Sequence, residues 1–453
     1  MKNIIYKYTN INNRIFSGVL FTVYFFVLFF FIYKTSITLP PFRDEAVSLT
    51  ANIGFFLNGL GFEGPRNTIF EGLYNPYLTS PPLSAVGSSL AWKFSDNFNT
   101  IRISNFLWVL LVQLVFSFFI SKIYDLNIKK LIIFSSFSLV AYPFWFGSLY
   151  SLGETISIII FFNSLLLYKT YPKISILLMG SLVFFGKIIL GLLFVFFYIF
   201  NLVTSKRIKN VPSELLIFTI PSLFWIMLIL FKSDYPDIFA YINHFFNMWE
   251  SMGSQVGNLS LRNTLSLENI FHNFENSGVL SWNVSVVLRV FLPPVILLTL
   301  LIIKKGKNMM LDINQYIYFA AALIPIYGWF ILISPEKPII YTAHFTFPIL
   351  MFSFYLLSRK NIKIDLVNSG AFFICCLYMT SSLLFIISIF FLILIVTTKK
   401  MNYSIIILLI FLSLINSTYE VSKEKTFSID LSLCKTDITS YECFEYLMNI
   451  SKK

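Results

Sequence analysis

From Phe16 to Ile415 the chain is a succession of apolar runs that keep no polar face, and this feature narrows its possible folds more than any other. A helix in water needs a polar side. A hydrocarbon core about 30 Å thick takes roughly 20 apolar residues per helical crossing, and stretches of that size recur along the whole segment. Charged residues make up 12% of the chain and mean hydropathy is +0.76, whereas a soluble domain carries about 25% charge. The sequence therefore predicts an all-α polytopic membrane protein. The first run, Phe16–Tyr33, is too long for a signal-peptide core and has no small-residue cleavage site after it, so it reads as a retained helix.

The net charge of +12 comes from 34 Lys+Arg against 22 Asp+Glu. In a soluble chain this would suggest nucleic acid, but no basic recognition element is present. The basic residues sit in short clusters between apolar runs, the distribution that sets membrane orientation. With Lys2, Lys7 and Arg14 in the cytoplasm, a helix over about 15–35 crosses outward. Residues 36–101 form a long outer segment. Ile103–Tyr124 returns to Lys129 and Lys130, a third helix leads out to Tyr150, and a fourth returns from Glu154 to Lys169. Leu177–Val203 reads as two short crossings hinged near Gly186-Lys187 and ending at Lys206, Arg207 and Lys209.

Leu215–Phe231 then leads to a second outer segment, 232–283. An eighth helix ends at Lys304, Lys305 and Lys307. A ninth and a tenth are joined outside over 334–338, and the tenth ends at Arg359, Lys360 and Lys363. Leu366–Val396 splits into two crossings reaching Lys399 and Lys400, and Ile405–Ile415 crosses last. The count is about 13 transmembrane helices. Residues 1–418 form the transmembrane domain and 419–453 a short outer tail, with the N-terminus cytoplasmic and the C-terminus outside. Merging either split segment would invert everything downstream. The abundance of Phe, Ile, Asn, Lys and Tyr fits an AT-rich bacterial genome and hence a bacterial inner membrane.

Cys434 and Cys443 in the tail would meet an oxidising compartment, where their spacing permits a disulfide without demanding one. The adjacent Cys375 and Cys376 read as small packing residues. No His/Cys cluster has metal-ligand spacing.

Polar groups gather on the outer side. The first outer loop carries Asp44 and Glu45 about nine residues after a membrane helix ends. Ala46–Leu60, with Val47, Leu49, Ile53, Leu57 and Leu60 at helical spacing, suits an amphipathic helix in the interface. Pro81-Pro82 would open a second, Leu83–Phe94, with Trp92 as its interfacial anchor. Asp44 and Glu45 either cap the helix that follows or serve chemistry. Glu154, at a corner with almost no loop to hold it, reads either as a water-facing residue at a helix start or as a functional carboxylate. Lys187 is the sole charge between Lys173 and Lys206. It either snorkels to the headgroups or meets a lipid-linked phosphate. Lys337, Tyr341 and His344 form a further outer cluster, in which His344 also fits a hydrogen-bonded interfacial residue. Carboxylates suit a general base acting on a hydroxyl, and lysines suit a departing phosphate.

In order and spacing these features resemble the polyprenyl-phosphate-dependent membrane glycosyltransferases of the GT-C fold, and within them the protein mannosyltransferase and lipid A aminoarabinose transferase group. The resemblance rests on Arg43-Asp-Glu-Ala46 after the first helix, Ser80-Pro-Pro-Leu83, Arg102-Ile-Ser-Asn105, the Gly153-Glu154 corner and the Gly186-Lys187 turn. It covers nearly half the chain, up to about residue 209. It implies a GT-C-like fold and metal-sparing, inverting transfer of a sugar from a polyprenyl-phosphate donor to a lipid, glycan or protein acceptor. It puts Asp44 in the catalytic role with Glu154 assisting. Lys187, Lys337 and Arg66 would contact donor phosphate, with Glu45, Tyr341 and His344 further substrate contacts. The lipid-linked donor is a substrate, so no cofactor is expected. The aminoarabinose branch has a lysine before the Pro-Pro pair where this chain has Ser80, which leaves the sugar open.

Two other classes fit parts of the pattern. An O-antigen ligase or polymerase would use basic residues of a late outer loop, where His244, Glu250, Arg262 and His272 lie. A lipid or glycan transporter would show paired repeats and charges near the bilayer midplane, but no repeat is visible and the charges sit at one surface.

Overall fold

The computed structural model describes residues 2–39, 82–95, 97–140, 148–150, 153–168, 170–187, 210–232, 236–243, 429–435 and 441–451, together with single positions such as Glu45, Leu49, Ile53, Leu190, Tyr198, Met351, Tyr355 and Ser358. The outer segment beyond residue 243 and the crossings expected after it lie outside the described residues, apart from those single positions. Among the described residues there is no β-strand. Three of the described stretches are helical, long and apolar enough to cross a membrane: Phe21–Thr38, Phe98–Ile123 and Val211–Leu228. To this extent the chain is an all-α membrane protein.

Helix α1 spans Lys2–Thr38 and so begins well before the expected residue 15. Hydropathy rises there, but backbone hydrogen bonding does not stop at the lipid boundary, and residues 2–17 contain no Pro or Gly. At 1.5 Å per residue the helix is about 55 Å long. A short 3-10 turn, Pro82–Ala85, leads into α2, Val86–Trp92. Helix α3, Phe98–Ile123, also starts earlier than expected. Its first turn is fixed by Asn97, whose side-chain oxygen accepts the Asn99 N–H at 2.8 Å, as an N-cap residue does. Helix α4, Ile128–Val140, follows a tight turn.

Helix α5 spans Glu154–Leu167 and α6 spans Pro172–Ser181. A turn over 182–187 reverses the chain. Contacts mark both ends of α5. Ser175 donates to the Ser164 carbonyl near one end of α5, and Lys187 reaches Glu154 at the other. The chain then returns to Tyr198, whose hydroxyl donates to Glu214 at 2.6 Å, in the first turn of α7, Val211–Lys232. Beside the turn, Phe184 and Phe185 pack on Trp225 of α7, and the Trp225 indole donates to the Tyr241 hydroxyl at 3.1 Å.

The middle of the bundle is held by amides and hydroxyls, the groups that bind helices where lipid gives no hydrophobic drive. Tyr355 donates to Asn163 Oδ1 at 2.6 Å and stacks on Phe162. Asn163 donates to Gln113 at 3.3 Å, and Gln113 donates to Ser117 at 3.2 Å. This network joins α3, α5 and a residue almost two hundred positions later.

Helix directions give the bundle two distinct ends. The end of α1, the starts of α3 and α5, the 182–187 turn and the end of α7 meet at one, called here the exit end. Tyr124 on the Leu166 carbonyl, Asn127 on the Ser358 carbonyl and the Tyr198–Glu214 pair mark the other.

The tail docks at the exit end. Helices α8, Ser432–Lys435, and α9, Tyr441–Ser451, are joined by a Cys434–Cys443 disulfide, Cα–Cα 4.8 Å. Ile429, Leu431, both cysteines and Leu447 share one core with Leu49, Ile53, Trp92, Phe98 and Ile101. Asp430 bridges to Asn97, and the Lys435 ammonium donates to the Trp92 carbonyl and lies 4.6 Å from its ring. Trp92, expected as an anchor among headgroups, is instead buried under the tail. The spacing of Leu49 and Ile53 suits an interfacial helix, but those side chains meet the tail as well. The disulfide closes a separation of nine residues; loops of that order stabilise by about 2–3 kcal/mol. Cys434→Ser with Cys443→Ser is therefore expected to speed tryptic cleavage after Lys435 by tenfold or more, on the order of that energy. Equal cleavage rates in the two proteins would show that packing alone holds the tail.

Candidate active site

Helix α5 begins abruptly at Glu154 because Gly153 takes φ 87°, a left-handed conformation that glycine adopts without steric cost. The Glu154 carboxylate sits in the first turn, where exposed N–H groups favour negative charge. Its Oε1 lies 2.7 Å from the Lys187 ammonium. The Glu154 side chain is 7% exposed and that of Lys187 26%. Among the described residues, Glu154 Oε2 is buried with no hydrogen-bond partner. An ammonium carries three N–H donors, so Lys187 keeps capacity for a further acceptor beside the carboxylate.

The turn that carries Lys187 is fixed from two sides. The Lys187 N–H donates to Ser157 Oγ at 2.9 Å. The Phe185 carbonyl accepts the Leu83 N–H at 3.2 Å, and the Leu83 carbonyl accepts the Trp108 indole N–H at 2.8 Å. A Cβ at Gly186 would fall 2.6 Å from Leu182 and 2.9 Å from Ser157 Oγ. The Pro-Pro-Leu, Gly-Glu and Gly-Lys motifs, separated by about seventy and thirty residues in sequence, thus form one connected corner.

A second knot lies at the same end. Arg102 donates from Nε to Glu45 Oε1 at 2.8 Å and from Nη2 to Oε2 at 2.6 Å. Its Nη1 donates to the Ser36 and Leu39 carbonyls, both at 2.9 Å. The guanidinium lies 4.5 Å from the Phe98 ring and 5.0 Å from the Tyr150 ring. It therefore ties the end of α1, the loop that follows it and α3 together. Burial raises the Tyr150 phenol above its usual range, with Glu45 adding to the effect and Arg102 opposing it, so the phenol stays neutral. Asn105 donates to the Ser148 carbonyl at 3.1 Å, holding the strand of chain that leads to Glu154.

The structure thus brings Glu154 and Lys187 into contact. Glu45, expected among the substrate contacts, is 1% exposed with both oxygens on Arg102. It holds the loop to the bundle through this bidentate pair rather than facing solvent. Asp44, Arg66, Lys337, Tyr341 and His344 lie outside the described residues, as do His244, Glu250, Arg262 and His272. Ser157 and Tyr150 were not singled out from the sequence. Ser157 stands three residues after Glu154 and so shares its helix face, a signal available only once Lys187 is known to be opposite. Set against protein-family models, curated proteins and solved structures, the chain matches none of them.

Proposed function

We propose that the chain is an inverting glycosyltransferase of GT-C type, moving a sugar from a polyprenyl-phosphate donor to a lipid, glycan or protein acceptor on the outer face of a bacterial inner membrane. The observation that carries this reading is the Glu154–Lys187 pair at 2.7 Å, at the end of the bundle to which Glu45 of the first loop is also tied. A carboxylate beside a partly exposed ammonium supports this reading, because such a cation suits a lipid-linked phosphate.

In this reading Asp44 takes the proton of the acceptor hydroxyl as its oxygen attacks the anomeric carbon. The bond from that carbon to the phosphate oxygen breaks, and polyprenyl phosphate departs with the electron pair. The Lys187 ammonium faces the phosphate throughout, while Glu154 keeps the lysine in place. The phosphate is already a good leaving group, so positioning and charge stabilisation account for most of the acceleration.

The test is binding and turnover of undecaprenyl-phosphate sugars by purified wild type and Lys187→Ala. Wild type should turn over at least one such donor, and Lys187→Ala should lower kcat/KM by about 10²- to 10³-fold, the range found when a charge-stabilising donor is removed. Because Lys187→Ala leaves Glu154 unpaired, Glu154→Gln with Lys187→Met serves as a packed, neutral control for folding. No interaction with any polyprenyl-phosphate donor would refute the reading.

A further inference from the structure

One face of α5 holds Lys187 twice. Glu154 Oε1 takes its ammonium at 2.7 Å, and Ser157 Oγ takes its backbone N–H at 2.9 Å. The two holding residues are three apart and lie one above the other on the helix. Ser157 is fully buried. The Lys187 N–H lies past the end of α6, outside its hydrogen-bond ladder, and a backbone N–H shielded from water needs a partner from elsewhere.

An ion pair by itself does not fix a lysine, because the ammonium swings on a flexible four-carbon stem. Fixing the backbone as well as the head sets the stem between them. Gly186 belongs to the same fit, since a Cβ there would sit 2.9 Å from the serine hydroxyl. We infer that Ser157 is a positioning residue for Lys187: its hydroxyl anchors the backbone from which the ammonium is presented to the donor phosphate, while Glu154 sets the direction of the head. The phosphate half of this statement rests on the function proposed above; the anchoring of the turn does not.

Two measurements test it. The first is amide hydrogen exchange over residues 182–187 in the full-length protein. Ser157→Ala should speed exchange there by about tenfold, the value of one lost hydrogen bond, and Ser157→Cys, which restores a weak acceptor of similar size, should recover part of the protection. The second is a double-mutant cycle on kcat/KM with an undecaprenyl-phosphate sugar. Ser157→Ala should cost about tenfold in the wild-type background and less than about twofold when Lys187 is already alanine, because coupled residues are not additive. Unchanged exchange in Ser157→Ala overturns the inference whatever the activity. Equal losses in both backgrounds also overturn it, because Ser157 would then act through something other than Lys187. A Lys187→Ala protein with intact donor use would instead overturn the functional reading and the phosphate half of the inference, leaving the exchange result to decide the anchoring.

Discussion

Arg102→Ala is expected to destabilise the folded protein by about 3–5 kcal/mol, the cost of leaving one member of a buried ion pair alone. In purified, detergent-solubilised protein this would appear as a large fall in midpoint temperature, or as failure to accumulate at all. The magnitude follows from what the guanidinium satisfies. It neutralises Glu45, accepts no compromise on geometry with its paired bonds at 2.8 and 2.6 Å, and covers two carbonyls at the end of α1. Without it, a carboxylate and two carbonyls are buried with fewer donors. Arg102→Lys should recover little, because an ammonium offers no planar fork for a carboxylate and two carbonyls at once. Glu45→Gln should be milder than Glu45→Ala, since the amide keeps one acceptor. A midpoint for Arg102→Ala within a degree or two of wild type would mean that the knot contributes nothing to stability.

The second large effect is on rate. Asp44→Asn is expected to lower transfer by about 10²- to 10⁴-fold, the range for loss of a general base, with donor binding and midpoint temperature close to wild type. That combination separates it from Arg102→Ala, which would lose activity together with the fold. Asp44 precedes Glu45 in the sequence, and Glu45 is pinned by Arg102. Full transfer by well-folded Asp44→Asn would remove Asp44 from the mechanism.

How far the chain could be read in advance varied with the physics involved. Apolar runs locate α3, α5 and α7 because hydropathy and membrane thickness act on every residue of a span. Boundaries were less legible. Hydropathy places the start of α1 at the lipid edge, whereas its hydrogen bonds run on to Lys2, and the Asn97 cap starts α3 before its apolar stretch begins. At the site, Glu154 and Lys187 stood out as charges in apolar surroundings, and they do meet. Arg102 was noticed only as part of a motif. Its contact with Glu45 is 57 residues distant, and no local pattern encodes such a pairing. Trp92 shows the same limit, since an aromatic at a helix end reads as an interfacial anchor unless the tail that covers it is known.

The docked tail also couples to the place where α1 finishes. Phe98 and Ile101, in the first turn of α3, share a core with Leu431, both cysteines and Leu447 of the tail. One residue further on, Arg102 donates to the Ser36 and Leu39 carbonyls at the finish of α1. The first turn of α3 is thus clamped from two sides, by the tail and by α1, and a change that loosens the tail reaches the last turn of α1 through it.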